Sequence, residues 1–251
     1  MVRAVAVLTA VALGSCDFDL ASVPRPSGAS IDAHLADAPP VDGASDAACQ
    51  AVTFTAASEA DTSLAAPSPD LNFGLSAIAN IGTAVGTVGI FRFDVAMLPP
   101  TAHIQSVEVV FTFAEKSNQC AMACGSCVGV EHAGTLSLFA MRSDWVETEA
   151  TWNHASNNSL WAAPGASQAG VDRSVAPVAT VTHAPGTSER MQVGAAAFPD
   201  LNRLWRQNDR ISFELVPSAA AVMIVATRES GADGCTPGGY PIPKLSITYC
   251  P

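Results

Sequence analysis

The sequence is poor in charge, and poorest in positive charge. Only 14% of its residues are Asp, Glu, Lys or Arg, and 12 Lys+Arg stand against 23 Asp+Glu, a formal net charge of -11. Phosphate backbones are gripped by dense positive surfaces, so this deficit argues against a nucleic-acid partner. Past the N-terminus there is no run of about 18 apolar residues, and so no candidate for a transmembrane helix there. The pattern Gly-x-Ser-x-Gly, which presents the serine of many hydrolases on a sharp turn, is absent. The histidines His34, His103, His132, His154 and His183 are scattered, none at the spacing of a zinc-protease helix.

What is present begins with a signal for export. Met1-Val-Arg3 is a short positive start, and Ala4 to Leu13 is an apolar run of ten residues. That length is too short to span a bilayer comfortably but suits the apolar segment of an export signal. The run ends in Leu13-Gly14-Ser15-Cys16, which resembles the lipobox of bacterial lipoproteins. The resemblance implies cleavage of a signal peptide 1–15 and diacylglycerol on Cys16. Two or more acyl chains hold a protein firmly at a membrane. The chain is therefore expected to be exported and lipid-anchored to a bacterial membrane, at the cell surface or in the periplasm. The rival reading is a plain secretory signal with an incidental cysteine.

Residues 16–47 are expected to be a disordered acidic linker. From Asp17 to Ala47 there are six Asp, one Arg and four Pro among many Ala, Ser and Gly. Little bulky apolar surface and charge of one sign cannot offset the entropy of ordering. Pro24, Pro26, Pro39 and Pro40 argue against a helical stalk.

Residues 48–251 read as all-β. Short β-branched or aromatic runs are separated by Gly, Pro, Asn and Asp. Strands are predicted at Ala51–Thr55, Gly86–Val95, His103–Phe113, Thr135–Met141 and Leu245–Tyr249. Arg210–Val216 and Ala221–Thr227 are predicted to pair across Pro217 to Ala220. Alternation puts Phe91, Phe93 and Val95 on one face and Ile90, Arg92 and Asp94 on the other. One helix is predicted near Asp200–Gln207, with Leu201, Leu204 and Trp205 at helical spacing. Regular strands without βα alternation point to an antiparallel sandwich of two sheets.

Four segments then resemble, in order, the DNRLRE domain, also called carbohydrate-binding module family 96. They are Asp61-Thr62 with Asn72-Phe73-Gly74; Phe91-Arg92-Phe93-Asp94-Val95 with Leu98-Pro99 and Ile104-Gln105-Ser106; Trp145-Val-Glu147-Thr-Glu-Ala-Thr151-Trp152-Asn153 with Trp161 and Pro164-Gly165; and Ala226-Thr227-Arg228-Glu229-Ser230 with Pro243-Lys244-Leu245. The resemblance implies a jelly-roll β-sandwich that binds acidic polysaccharide. Two features depart from that family. Residues 48–251 carry more Asp+Glu than Lys+Arg, so like charge opposes a polyanion, and a Cys-rich insertion occupies 120–127.

The candidate ligand contacts are Arg92, Arg142, Arg228 and Trp161. Guanidinium forks match carboxylates, and flat rings suit sugar C–H groups. Trp161 lies between Asn157-Asn-Ser-Leu160 and Ala162-Ala-Pro164 and reads as the exposed ring. The competing reading makes each arginine half of a structural ion pair, for instance Arg92 with Asp94. Trp145, Glu147, Thr151, Trp152 and Asn153 read as a structural motif, with Trp145 and Trp152 in the core. Asp144, Glu147 and Glu149 are close enough in sequence to suggest the carboxylate pair of a glycosidase, but spacing alone shows no cleft. Asp61 and Asn72 offer hard oxygens for a structural calcium ion, two of the six to eight it takes. No other cofactor is expected.

Seven cysteines are present, and lipidation of Cys16 leaves six, an even number suited to disulfides in an exported domain. Cys49 precedes the first strand and Cys250 ends the last, so these two pair if the terminal strands lie side by side. Cys120, Cys124, Cys127 and Cys235 would form two more bridges, with three pairings open. The Cys120-x-x-x-Cys124-x-x-Cys127 spacing is that of a radical-SAM iron–sulfur motif, but export and the lack of a β/α barrel pattern oppose it. Zinc at these cysteines with His132 is disfavoured on the same grounds. The sequence thus suggests a non-catalytic, membrane-tethered lipoprotein that binds polysaccharide. The alternative is a structural or adhesive surface domain that contacts protein and has no sugar site. The two separate on whether Arg92, Arg142 and Arg228 are free at a groove or spent in ion pairs.

Overall fold

The computed structural model describes residues 49–113, 133–184, 188–218, 222–230 and 241–251. The expected signal peptide, linker and lipidation at Cys16 lie outside the described residues, as do Cys120, Cys124, Cys127 and Cys235. The chain divides into two units, Met1–Ser45 and Asp46–Pro251, and the fold described is that of the second.

Among the described residues the fold is mostly antiparallel β, with one short α-helix. The strands are β1 (Val52–Ala65), β2 (Ile78–Gly82), β3 (Thr87–Asp94), β4 (His103–Thr112), β5 (Gly134–Ala140), β6 (His154–Ser156), β7 (Ser159–Leu160), β8 (Ala179–His183) and β9 (Ser188–Gln192); helix α1 (Phe198–Asn208) follows, then β10 (Arg210–Pro217), β11 (Val222–Ala226) and β12 (Lys244–Cys250). The main sheet runs β8-β5-β10-β3-β1-β12-β4-β9, with β2 joined to β3 and β11 to β2. Its two end strands, β8 and β9, also touch, which makes the sheet a nearly closed, barrel-like ring.

Strand β1 joins the two halves of this ring. Val52–Ala57 pairs with β12, and Ser58–Ala65 pairs with β3. At the change-over the register slips, with Ser58 opposite Phe93 and Ala60 opposite Arg92, so Glu59 is the extra residue of a β-bulge. A bulge bends its strand and re-aims a side chain, and both effects operate here. The first half of β1 is largely exposed, whereas Ala60–Ala65 is buried throughout. Cys49 and Cys250 form the disulfide expected of adjacent terminal strands, with Cα atoms 5.7 Å apart.

The interior of the ring is aliphatic and Phe-rich. Phe91 meets Phe111 edge-on at 4.9 Å, and Phe93 meets Phe213 at 6.2 Å. Helix α1 adds Leu201, Leu204 and Trp205 to this core. A second core lies on the opposite face of β1 and β3, where Ala60, Leu64, Val88 and Ile90 pack against Met141, Trp145, Ala150, Ala155, Trp161 and Ala166. Strand β3 is therefore buried on both faces. Ile90 and Arg92 do not face solvent, because the excursion after β5 folds back over them.

Two features differ from expectation. Strands β10 and β11 do not pair with each other: β10 lies between β3 and β5, and β11 pairs with β2. The first strand also runs to Ala65, well beyond Thr55, because the Ala- and Ser-rich stretch after Thr55 gains partners in β12 and β3.

Candidate functional site

The motif tryptophans sit in a compact loop laid over β1 and β3, and its polar groups are almost all engaged. Asn72 donates from Nδ2 to the carbonyls of Glu147 (2.6 Å) and Ala150 (2.7 Å), and its Oδ1 accepts the N–H of Gly74. Gly74 is packed so closely that a Cβ there would stand 2.3 Å from the Glu147 carbonyl oxygen. Thr151 accepts the N–H of His154 on its side chain, and its carbonyl takes the indole N–H of Trp161 at 2.9 Å. The Asp172 carboxylate accepts the N–H groups of Ala162, Ala163 and Gln168, closing the far side of the loop. Asn153 reaches Asp70 at 3.4 Å. The segment is thus a self-satisfied structural cover.

Trp161 is a correction to the sequence reading. It is only 5% exposed, turned into the second core with its N–H on Thr151, so it offers no face to a sugar ring. The polar neighbours that suggested exposure belong to the β6–β7 hairpin, where Leu160 rather than Trp161 points outward. Trp145 is buried, as expected, and Trp152 half-buried.

The three arginines are all held by carboxylates of the chain itself. Arg92 points into the protein, 13% exposed, with Nε on Glu59 Oε1 (2.7 Å), Nη1 on the Trp145 carbonyl (2.7 Å) and its guanidinium 4.9 Å from the Trp145 ring. Its partner is Glu59, aimed there by the bulge, rather than Asp94, which instead caps the N–H of Ala96. Arg142 pairs with Asp200 on α1 and donates to the Gly170 carbonyl. The Arg142 hydrogen bond holds the Asp200 carboxyl below its usual range. Arg228 spans Glu147 Oε2 (2.7 Å) and Glu229 Oε1 (2.7 Å) and donates to the Glu59 carbonyl.

Around Arg228 lies a group of acids that sequence reasoning only half saw. One oxygen from each of Asp61, Glu147 and Glu229 can be chosen so that all lie within 4.8 Å of one another. Glu147 Oε1 accepts the N–H of Asp61 at 2.8 Å, and Asp61 Oδ2 accepts Ser58 Oγ and the N–H of Arg228. Burial pushes the Asp61 carboxyl up to about 7, against its hydrogen bonds from Arg228 and Ser58 and with help from the charges of Glu229 and Glu147. Burial raises Glu147 as well. Asp144 and Glu149 do not join this group. Asp144 is 76% exposed, and Glu149 accepts the N–H of Asn157, so the three acids of the motif serve separate partners. Asn72 is occupied with the 147–150 turn and is not the companion of Asp61 that the calcium reading expected. Glu59 and Glu229 carried no distinct sequence signal, although Glu229 lies inside the fourth family-like segment.

A shallow depression of about 20 Å³ is lined by Arg92, Arg142, Ser143, Asp144, Arg210 and Ser212, among others. Such a volume holds about one water molecule. The chain matches no family model and no curated protein.

Proposed function

We propose that this chain is a non-catalytic, lipid-anchored surface protein whose β domain is a structural or adhesive module that contacts protein. One observation carries this reading: Arg92, Arg142 and Arg228 are each spent on carboxylates of their own chain. A polyanion would have to displace those internal partners, on a domain that is itself acidic. In support, the large apolar side chains exposed among the described residues are aliphatic, including Leu71, Leu75, Met97 and Val146, and no aromatic ring is among them. The finer architecture we propose is the jelly-roll sandwich of the DNRLRE domain, with β1 passing between two sheets. The membrane tether rests on Leu13-Gly14-Ser15-Cys16.

A second reading, polysaccharide binding, is favoured by the depression, where Arg92, Arg142 and the half-exposed Arg210 meet Ser143, Asp144 and Ser212. A sugar carboxylate could rest across its mouth. Electrophoresis of the protein through gels containing alginate, polygalacturonate or a neutral glucan separates the two. The first reading expects unchanged mobility in all three, and expects cross-linking on intact cells to join the domain to a neighbouring surface protein. Retardation that disappears in Arg210→Ala would overturn it in favour of the second.

A further inference from the structure

We propose that Asp61, Glu147 and Glu229 form a binding site for one divalent cation, with calcium the best match. The three carboxylates come from three distant parts of the chain: β1 just past its bulge, the motif turn, and the segment after β11. Their oxygens lie within 4.8 Å of one another. Calcium–oxygen distances are about 2.3–2.6 Å, so oxygens on opposite sides of one ion stand about 5 Å apart. The spread therefore suits a single ion.

A second observation is independent of the grouping. Asp61 is 1% exposed, and its Oδ1 meets no donor, although Oδ2 is fully used. Oε2 of Glu229 is likewise buried without a partner. An ionised oxygen taken from water and left unpaired is costly, and a cation held by these carboxylates removes that cost. The donor set is all oxygen, with no histidine or cysteine in the group. Such a set selects the hard ions over zinc or copper. Calcium fills its remaining positions with water and tolerates irregular geometry, whereas magnesium demands an octahedron.

Arg228 is the internal competitor. Its guanidinium holds Glu147 and Glu229 together, yet its side chain is 39% exposed and has solvent to swing into. One pocket thus has two alternative counter-ions, a guanidinium from its own chain or a metal from solution.

Calcium chloride titrated into the EDTA-stripped protein, followed by calorimetry and by thermal unfolding, tests this. The expected result is saturable binding of one ion, with an unfolding temperature that climbs with calcium concentration. Glu229→Gln, at the rim of the group, should keep the circular dichroism spectrum and lose the calcium response. Arg228→Gln should bind calcium at least about tenfold more tightly, because a competing cation is gone. A purely structural Arg228 predicts the opposite, a weakened fold with no gain in binding. The proposal is overturned if neither the wild type nor Arg228→Gln responds to millimolar calcium, or if zinc binds in preference.

Discussion

Gly165 lies directly beneath the ring of Trp152. A Cβ at this position would stand 2.5 Å from the indole, and the residue takes φ of 71°, a left-handed conformation that glycine alone adopts without strain. Its N–H also donates to the Trp152 carbonyl at 2.6 Å. Gly165→Ala should therefore cost about 2–4 kcal/mol through overpacking and backbone strain together. Urea denaturation would measure the loss, and near-ultraviolet circular dichroism would report the displaced indole. A cost below about 0.5 kcal/mol would mean that the loop is free to relax.

Arg92 and Arg210 both bind Glu59, but at different depths. Arg92→Ala removes the more buried of the two partners of Glu59 and the donor to the Trp145 carbonyl, at a cost of about 2–3 kcal/mol. Arg210→Ala, on the exposed side, should cost less than about 1 kcal/mol. Equal effects in equilibrium unfolding would show that the bulge does not set the order of these two pairs.

Stability should increase on mild acidification. Burial raises the Glu214 carboxyl from 4.5 to about 7 despite the opposing charge and hydrogen bond of Arg173, and Asp61 is raised from 3.8 to about 7. Each group holds its proton more tightly in the folded chain than in the unfolded one. Between pH about 4 and 7 the folded state binds more protons, so stability falls as pH rises through that window and levels off above it. In metal-free buffer, lowering the pH from about 7.5 to 5 should raise the unfolding temperature by roughly 5 °C. Glu214→Gln should shrink that rise. A melting temperature that falls steadily toward acid would contradict both assignments.

The disulfide closes a span of 201 residues. Replacing Cys49 and Cys250 together by serine should cost about 4–5 kcal/mol by releasing loop entropy into the unfolded state. Chemical denaturation of the double variant, compared with the wild type under oxidising conditions, gives the value directly. Little change would mean that the β1–β12 ladder alone holds the ends.

The parts of the fold legible in the sequence are those in which local pattern and final environment agree. Phe91 and Phe93 alternate into the main core, Leu201, Leu204 and Trp205 mark α1, and the two terminal cysteines lie at strands that do become neighbours. The partner of Arg92 is Glu59 and not Asp94, because alternation says which face a residue takes, not what covers that face. The cover comes from Trp145, far along the chain. Trp161 was misread for a similar reason, since its acceptor, the Thr151 carbonyl, is backbone and carries no side-chain signature. Ala56–Ala65 lacks strong strand formers and becomes strand through its pairing with β12 and β3. Nor could the acidic group be seen in advance, because it assembles only when β1, the motif turn and the segment after β11 meet.

The covalent link between Cys49 and Cys250 also bears on mechanical load. Tension arriving through the chain ahead of Cys49 enters a strand whose end is fastened to β12, which is itself laddered to β4 along most of its length. The pull is shared by two strands from its first moment, so the domain resists being peeled apart one hydrogen bond at a time.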